Sequence, residues 1–186
     1  MRLALLIPGR LPVHQSLLAF AEEAVERRGG EVHRIWWSPP TDRPLEQLPA
    51  WVCHQVARTL DDLRDVAADA VLIGKSLGSL AAPVAAERGL AAIWLTPVLH
   101  KDVFVRSYEN ATAPRLLVGG TADPMWDGAV ARRLSEHVCE IRDADHGIFV
   151  PGPLAESGRA HGVVGTAIER FLDDVAWPLR PTPPPS

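Results

Sequence analysis

Short, continuous runs of apolar residues alternate along the chain with segments whose apolar residues recur at helical spacing. A run of consecutive apolar positions, rather than an alternation of apolar and polar ones, is typical of a strand covered on both faces, as in a parallel sheet. The pattern predicts six such strands, at residues 3–7, 32–37, 71–73, 91–95, 115–118 and 138–142.

The segments between these strands are typical of amphipathic helices. Their spacing predicts helices at residues 14–28, 51–68, 77–88, 129–137 and 161–175, with a proline-rich surface loop at residues 38–49. Pro83 falls inside the third helix, so we expect it to remove one intrahelical hydrogen bond and to bend the helix. Regular alternation of strand and helix predicts an α/β fold: a doubly wound, mainly parallel sheet of about six strands with helices on both faces.

The composition is that of one folded domain. The chain has 186 residues, 47% of them hydrophobic and 23% charged, and its last nine residues include five prolines. We expect a single domain at residues 1–177 and a disordered tail at residues 178–186. The net charge of −4 offers no basic surface to nucleic acid. The first apolar run ends at Pro8, too early for a signal peptide or a membrane span, so a cytoplasmic protein without membrane or nucleic-acid partners is expected.

The cysteines and histidines give no pattern of a metal site. Cys53 and Cys139 fall on different predicted elements, which favours two buried free thiols over a disulfide. Histidines other than His146 lack metal-ligand spacing with one another. We therefore expect no metal and no cofactor, and the sequence leaves the oligomeric state open.

The residues after the third predicted strand have the pattern of a turn that carries a nucleophile. Residues 74–78 read GKSLG, which fits Gly-x-Ser-x-Gly between a strand and a helix. In that motif a strained turn exposes the serine hydroxyl, and the glycines let neighbouring elements come close. A phosphate-binding loop ending in Gly-Lys-Ser would require glycine at position 69, where the chain has Asp69. A glycine-rich turn without a chemical role is the other alternative.

Two later loops carry an acid and a histidine. Asp123 follows the fifth predicted strand and His146 the sixth, and functional groups in a parallel sheet gather beyond the carboxyl ends of its strands. The order serine, acid, histidine is the one associated with strand-turn-helix nucleophiles. Asp127 is better explained as the N-cap of the next helix, and Asp143 and Asp145 lie too near His146 in the sequence to be the first choice.

Together these motifs resemble those of the α/β-hydrolase superfamily. Residues 74–78 resemble its nucleophile elbow, residues 119–124 its acid loop and residues 145–147 its histidine loop. The resemblance extends from residue 3 to about residue 175 and is to small, capless members, such as the dienelactone-hydrolase-like and retinoblastoma-binding serine hydrolase groups. It implies an open cleft, since only residues 96–114 occupy the place where larger relatives insert a cap.

The resemblance and the chemistry of the residues suggest the same three roles. Ser76 would attack an acyl carbon, His146 would serve as its base, and Asp123 would fix the imidazole tautomer and stabilise its charged form. The expected activity is cleavage of a small-molecule ester or thioester through an acyl-enzyme. The alternatives are a non-catalytic binding or scaffold protein of the same fold, and a peptidase or C–C hydrolase using the same site.

Other residues are expected to bind the substrate. The backbone N–H of Leu77, together with that of Gly9 or Arg10, would hold the oxyanion. An acyl pocket is predicted from apolar residues on or beside the catalytic loops, two of which, Trp126 and Phe149, could equally pack beneath those loops. The predicted pocket residues are Val98, Leu99, Trp126 and Phe149.

Overall fold

A single parallel sheet forms the centre of the molecule. The computed structural model describes residues 2–11 and 16–178, and within them the strands are β1 (Leu3–Ile7), β2 (Glu31–Arg34), β3 (Val71–Lys75), β4 (Ala92–Leu95), β5 (Arg115–Gly120) and β6 (His137–Ile141). Their order is β2-β1-β3-β4-β5-β6, and every neighbouring pair is parallel. The predicted six-stranded α/β sheet is confirmed.

Helices cover both faces of this sheet. The helices are α1 (Ser16–Glu26), α2 (Pro49–Asp62), α3 (Ala82–Arg88), α4 (Asp102–Glu109), α5 (Gly128–Leu134) and α6 (Leu154–Phe171). Short 3-10 helices lie at Leu45–Gln47 and Ser76–Ala81, and a π-helical turn at Leu172–Ala176. Helices α1 and α6 pack on one face, and α2, α3, α4 and α5 pack on the other.

Strand β1 shows why its apolar run is continuous. Leu3, Leu5 and Ile7 belong to the core on the α2 side, whereas Ala4 and Leu6 belong to the core on the α1 side. All five side chains are buried, and burying an aliphatic side chain of leucine size contributes about 1.5–3 kcal/mol. Alternate positions therefore face two separate cores, and no position of the strand can be polar.

The two edge strands differ from the prediction. Strand β2 ends at Arg34 instead of residue 37, because it pairs only with β1 and that pairing stops where β1 ends before Pro8.

The two cysteines are half-buried: Cys139 lies on the edge strand β6 and Cys53 on α2. Burial raises the pKa of both thiols, that of Cys139 to about 11.

Helices α2 and α6 also have different bounds. Helix α2 ends at Asp62, six residues before its predicted end, and Leu63 is its C-cap. Helix α6 begins at Leu154, seven residues before its predicted start. Its first two turns bury the small or polar residues Ser157 and Ala160, so they carry no apolar periodicity that a sequence pattern could show.

The predicted bend at Pro83 is wrong. The chain after β3 forms a 3-10 helix at Ser76–Ala81, and only then does α3 begin, so that Pro83 lies in its first turn. A proline there causes no break, since the first N–H groups of a helix have no intrahelical partner. The helix ends at Gly89, whose φ of 64° lies in the left-handed region.

The remaining segments add little to the framework. Between β4 and β5 the chain forms the single short helix α4. The predicted disordered tail falls, from residue 179 onward, outside the described residues, as do residues 12–15 at the predicted start of α1. Across residues 2–11 and 16–178, no helix combines the length and the apolar composition that a membrane crossing requires.

The turn after β3 packs against two neighbouring strands at close range. A Cβ atom added to Gly78 would lie 2.4 Å from the Ile7 carbonyl oxygen, and one added to Gly74 would lie 2.7 Å from both the Gly78 oxygen and the Trp94 ring. Neither position has room for a side chain. The glycines are therefore required by packing in the folded structure, in addition to the turn itself.

The close approach of Gly78 gives a stability prediction with an internal control. In Gly78→Ala the new methyl group must displace the end of β1. Overpacking of this kind costs about 1–3 kcal/mol or more, so we expect the substitution to lower Tm by about 5–10 °C. In Gly158→Ala the Cβ atom meets nothing within 4 Å, and alanine is the better helix former, so Tm should rise by about 2 °C. Thermal denaturation measures both. Equal effects of the two changes would contradict the packing account.

Candidate active site

Ser76 stands at a strained turn where β3 ends. Its φ of 50° is in the left-handed region, which non-glycine residues adopt rarely and at a cost of about 1–2 kcal/mol. The Ser79 hydroxyl donates to the Ser76 carbonyl at 2.6 Å, and the buried Tyr108 hydroxyl donates to the Ser79 carbonyl at 3.1 Å. These bonds hold the turn in a conformation that leaves the Ser76 side chain partly exposed.

His146 reaches Ser76 from the loop between β6 and α6. Its Nε2 lies 2.9 Å from the Ser76 Oγ, although the two residues are 70 positions apart. The loop is organised by Asp145, whose carboxylate accepts the backbone N–H groups of Gly147 and Phe149 at 2.8 and 2.9 Å. Asp145 therefore stabilises the conformation of the loop, because its carboxylate is hydrogen-bonded to the backbone of that loop.

Asp123 binds the other side of the imidazole. Its Oδ2 lies 2.7 Å from His146 Nδ1, and its Oδ1 accepts the Met125 N–H at 2.9 Å. A carboxylate can only accept, so Nδ1 carries the proton and Nε2 is left to accept from the Ser76 hydroxyl. Asp127 plays the part of helix cap expected of it, since it accepts the first N–H groups of α5 at 2.9 Å.

A buried cation lies beneath this chain of hydrogen bonds. Lys75 is 4% exposed, and its ammonium group lies 3.4 Å from Thr96 Oγ1 and 3.5 Å from the His146 carbonyl oxygen. Burial lowers the pKa of Lys75, and the negative charges of Asp123 and Asp145 oppose that shift. Burial of this group was not predictable from the sequence, because a lysine at the end of a strand is usually solvated.

The two expected oxyanion donors come from neighbouring loops. Gly9 borders Ser76, since a Cβ atom added to it would lie 3.7 Å from the Ser76 Cβ. Within residues 2–11 and 16–178, the backbone N–H groups of Gly9, Arg10 and Leu77 have no acceptor. The Arg10 guanidinium donates instead to backbone carbonyls across the cleft, namely those of Pro40, Thr41 and Arg43.

The predicted acyl pocket does not form as expected. Val98 and Leu99 are 1% and 2% exposed and belong to the core on the α2 side, so the structure corrects their assignment. Trp126 lies against Gly119, and its indole donates to Glu140 at 2.7 Å, which is packing beneath the acid loop. Phe149 is 37% exposed and packs against the His161 ring in a T-shaped arrangement.

A cavity lies on the β1 and β2 side of the sheet, beside the loop that carries the expected oxyanion donors Gly9 and Arg10. It has a volume of about 570 Å³ and is lined by the loop after β1, by α1 and by residues 34–41. Trp36 and Trp37 are part of this lining. The adjacent tryptophans could have served as a signal, but only the tertiary structure shows that both line the cavity and that the Trp37 indole donates to the Gly9 carbonyl.

Solved structures of hydrolases and esterases superpose on most of this chain. Est1E from Butyrivibrio proteoclasticus matches with a TM-score of 0.68 and 15% sequence identity over 92% of this chain and 86% of that one. An esterase domain from a Rhodothermus marinus protein matches with a TM-score of 0.62 and 17% identity over 94% and 87%. A Xanthomonas campestris protein assigned as a hydrolase of the alpha/beta superfamily matches with a TM-score of 0.60 and 20% identity over 90% and 98%.

These similarities establish the fold. No protein-family model and no curated protein matches the chain. The structural matches at 20% identity or less show that the chain has the α/β-hydrolase fold, as the resemblance of its motifs implied. What the site does chemically rests on its own geometry.

The buried charge of Lys75 predicts a dependence of stability on pH. Burial lowers the pKa of Lys75 in the folded state below its ordinary value of 10.5. At pH values between these two pKa values the unfolded chain therefore binds more protons than the folded chain does. The contribution of this lysine to stability consequently rises with pH across that interval. We expect the free energy of unfolding of the wild type, relative to that of Lys75→Met, to increase as the pH is raised towards 10.5.

Urea denaturation at several pH values measures this difference. Lys101→Met removes a half-exposed lysine and reports the effect of losing one charge at the surface. If the difference in the free energy of unfolding between the wild type and Lys75→Met stays constant with pH, the buried charge is not the cause.

Proposed function

We propose that the protein is a serine hydrolase that cleaves esters or thioesters of small molecules through an acyl-enzyme. The observation that carries the proposal is the continuous chain from the Ser76 hydroxyl through His146 to Asp123, with separations of 2.9 and 2.7 Å. Both distances are those of good hydrogen bonds, and the acid is 3% exposed.

The geometry supports a two-step reaction. In the first step the Ser76 Oγ bonds to the acyl carbon while its proton passes to His146 Nε2, and Asp123 stabilises the resulting imidazolium. The carbonyl oxygen becomes negative and is held by the N–H of Leu77 and that of Gly9 or Arg10. The bond to the leaving group then breaks, and that group takes the proton from Nε2. Water repeats the sequence on the acyl-enzyme and releases the acid.

The exposure of the site and the character of the structural matches agree with this proposal. The His146 side chain is 33% exposed and Ser76 is partly exposed, so a substrate can reach both. The matching structures are named as hydrolases and esterases, and Est1E has been solved with ferulic acid bound. A carboxylic ester is accordingly the substrate class that we propose first.

The proposal predicts which variants lose activity. Ser76→Ala removes the nucleophile and should lower kcat on p-nitrophenyl acetate by about 10⁶-fold. Asp123→Asn leaves the geometry but permits the wrong imidazole tautomer and should lower kcat by about 10⁴-fold. A fluorophosphonate probe should add to the wild-type serine with loss of fluoride, and mass spectrometry should find no adduct on Ser76→Ala.

Ser107→Ala is the matched control, because Ser107 lies on α4 and donates only to the Phe104 carbonyl. It should keep both the turnover and the labelling of the wild type. If Ser76→Ala is labelled as well as the wild type, Ser76 is not the nucleophile. If the wild type neither reacts with the probe nor turns over any acyl substrate, the protein is better described as a non-catalytic binding protein of this fold.

A further inference from the structure

The cavity beside the loop after β1 has the size of a small-molecule site. Its volume of about 570 Å³ falls within the roughly 300–1,000 Å³ that such sites occupy. The loop after β1 forms one wall, α1 forms the second, and the chain after β2 forms the third. None of the four residues first expected to form the acyl pocket lines it.

The walls of this cavity are largely apolar. Leu11, Leu18, Ile35, Trp36 and Trp37 all contribute to the lining. Trp36 is 86% exposed at the rim, and a large aromatic surface left to water beside a concave site is typical of a place where a ligand is bound.

The charged side chains of the lining are already paired. Arg34 forms an ion pair with Glu22, with the Nε lying 3.1 Å from Oε2. The Trp37 indole donates to the Gly9 carbonyl at 3.2 Å, and the Arg10 guanidinium is used on three backbone carbonyls. A charged or strongly polar ligand would have to displace these bonds, so the chemistry of the cavity selects an apolar group.

Gly9 connects the cavity to the nucleophile. It lines the cavity and is also the residue whose added Cβ atom would lie 3.7 Å from the Ser76 Cβ. A substrate whose carbonyl oxygen points at the N–H of Gly9 or Arg10 would therefore have one end at the mouth of the cavity. The reacting centre and the cavity therefore both adjoin Gly9.

The order of the strands indicates which end of the substrate occupies the cavity. Ser76 follows the central strand β3, His146 approaches from the β6 side, and the cavity lies on the β1 and β2 side. The leaving group must lie near His146, since it takes the proton from Nε2. The acyl group then points away from the histidine.

We propose, on the basis of the proposed hydrolase function, that this cavity is the acyl-binding site and that it takes a linear or aromatic apolar acyl group. The substrate class is thus an ester or thioester of an apolar carboxylic acid rather than of acetic acid. Each methylene buried in such a site is worth about fourfold in affinity. The specificity therefore rises with acyl length until the cavity is filled.

A pair of esters with the same leaving group tests the proposal. For the wild type, kcat/KM on p-nitrophenyl hexanoate should exceed that on p-nitrophenyl acetate by about tenfold or more. Ala19→Phe places a ring in the cavity from an exposed position on α1 and should lower the hexanoate-to-acetate ratio by about tenfold. Ala129→Phe makes the same exchange at an exposed position on α5 and should leave the ratio unchanged.

Binding without turnover supplies the second measurement. The methyl ester of ω-bromohexanoic acid is added to Ser76→Ala protein, because bromine quenches indole fluorescence on contact. Saturable quenching is expected, and it should be weaker in the double variant that also carries Ala19→Phe.

The outcomes separate the two proposals. A wild type that hydrolyses acetate at least as well as hexanoate, or an Ala19→Phe variant that loses both activities equally, would overturn the acyl site while the hydrolase proposal stands. Absence of quenching would also overturn the proposed acyl site. Quenching without hydrolysis of either ester and without labelling of the wild type by the fluorophosphonate probe would support the cavity as an apolar binding site and refute the hydrolase.

Discussion

The contact between the turn after β3 and the end of β1 is the constraint on which the site depends. Gly78 lies so near the Ile7 carbonyl that no side chain fits between them, and this approach sets Ser76 beside Gly9. Ser76 and the loop that carries Gly9 are thereby positioned by one packing contact between adjacent parallel strands. The strain at Ser76 is offset by the same packing and by the buried hydrogen bonds of Ser79 and Tyr108.

The other half of the site depends on charges that the fold buries. Asp123 and Lys75 are 3% and 4% exposed and come from loops or strands on either side of β4. Each charge reduces the cost of burying the other, and the Lys75 ammonium also lies near the His146 carbonyl. His146 is consequently held at its backbone carbonyl by the lysine and at its imidazole Nδ1 by the carboxylate.

The prediction from sequence succeeded where a residue's surroundings are local. Strand positions, the N-cap at Asp127 and the stop at Gly89 depend on neighbours within a few residues. It failed at Pro83, whose effect depends on where a helix begins, and at Val98 and Leu99, whose apolar character fits a core as well as a pocket. Trp36 and Trp37 were visible in the sequence, but their relation to Gly9 depends on the pairing of β1 with β2.

The amino-acid sequence by itself determined the class of fold and the three residue types that could form a nucleophilic site, because apolar periodicity and short motifs are properties of neighbouring residues. Only the tertiary structure decided that Ser76, His146 and Asp123 lie within hydrogen-bond distance, that Lys75 is buried, and that the open cavity adjoins Gly9. These facts depend on the order and register of six strands. Side chains far apart in the chain meet only after both cores have formed around the sheet.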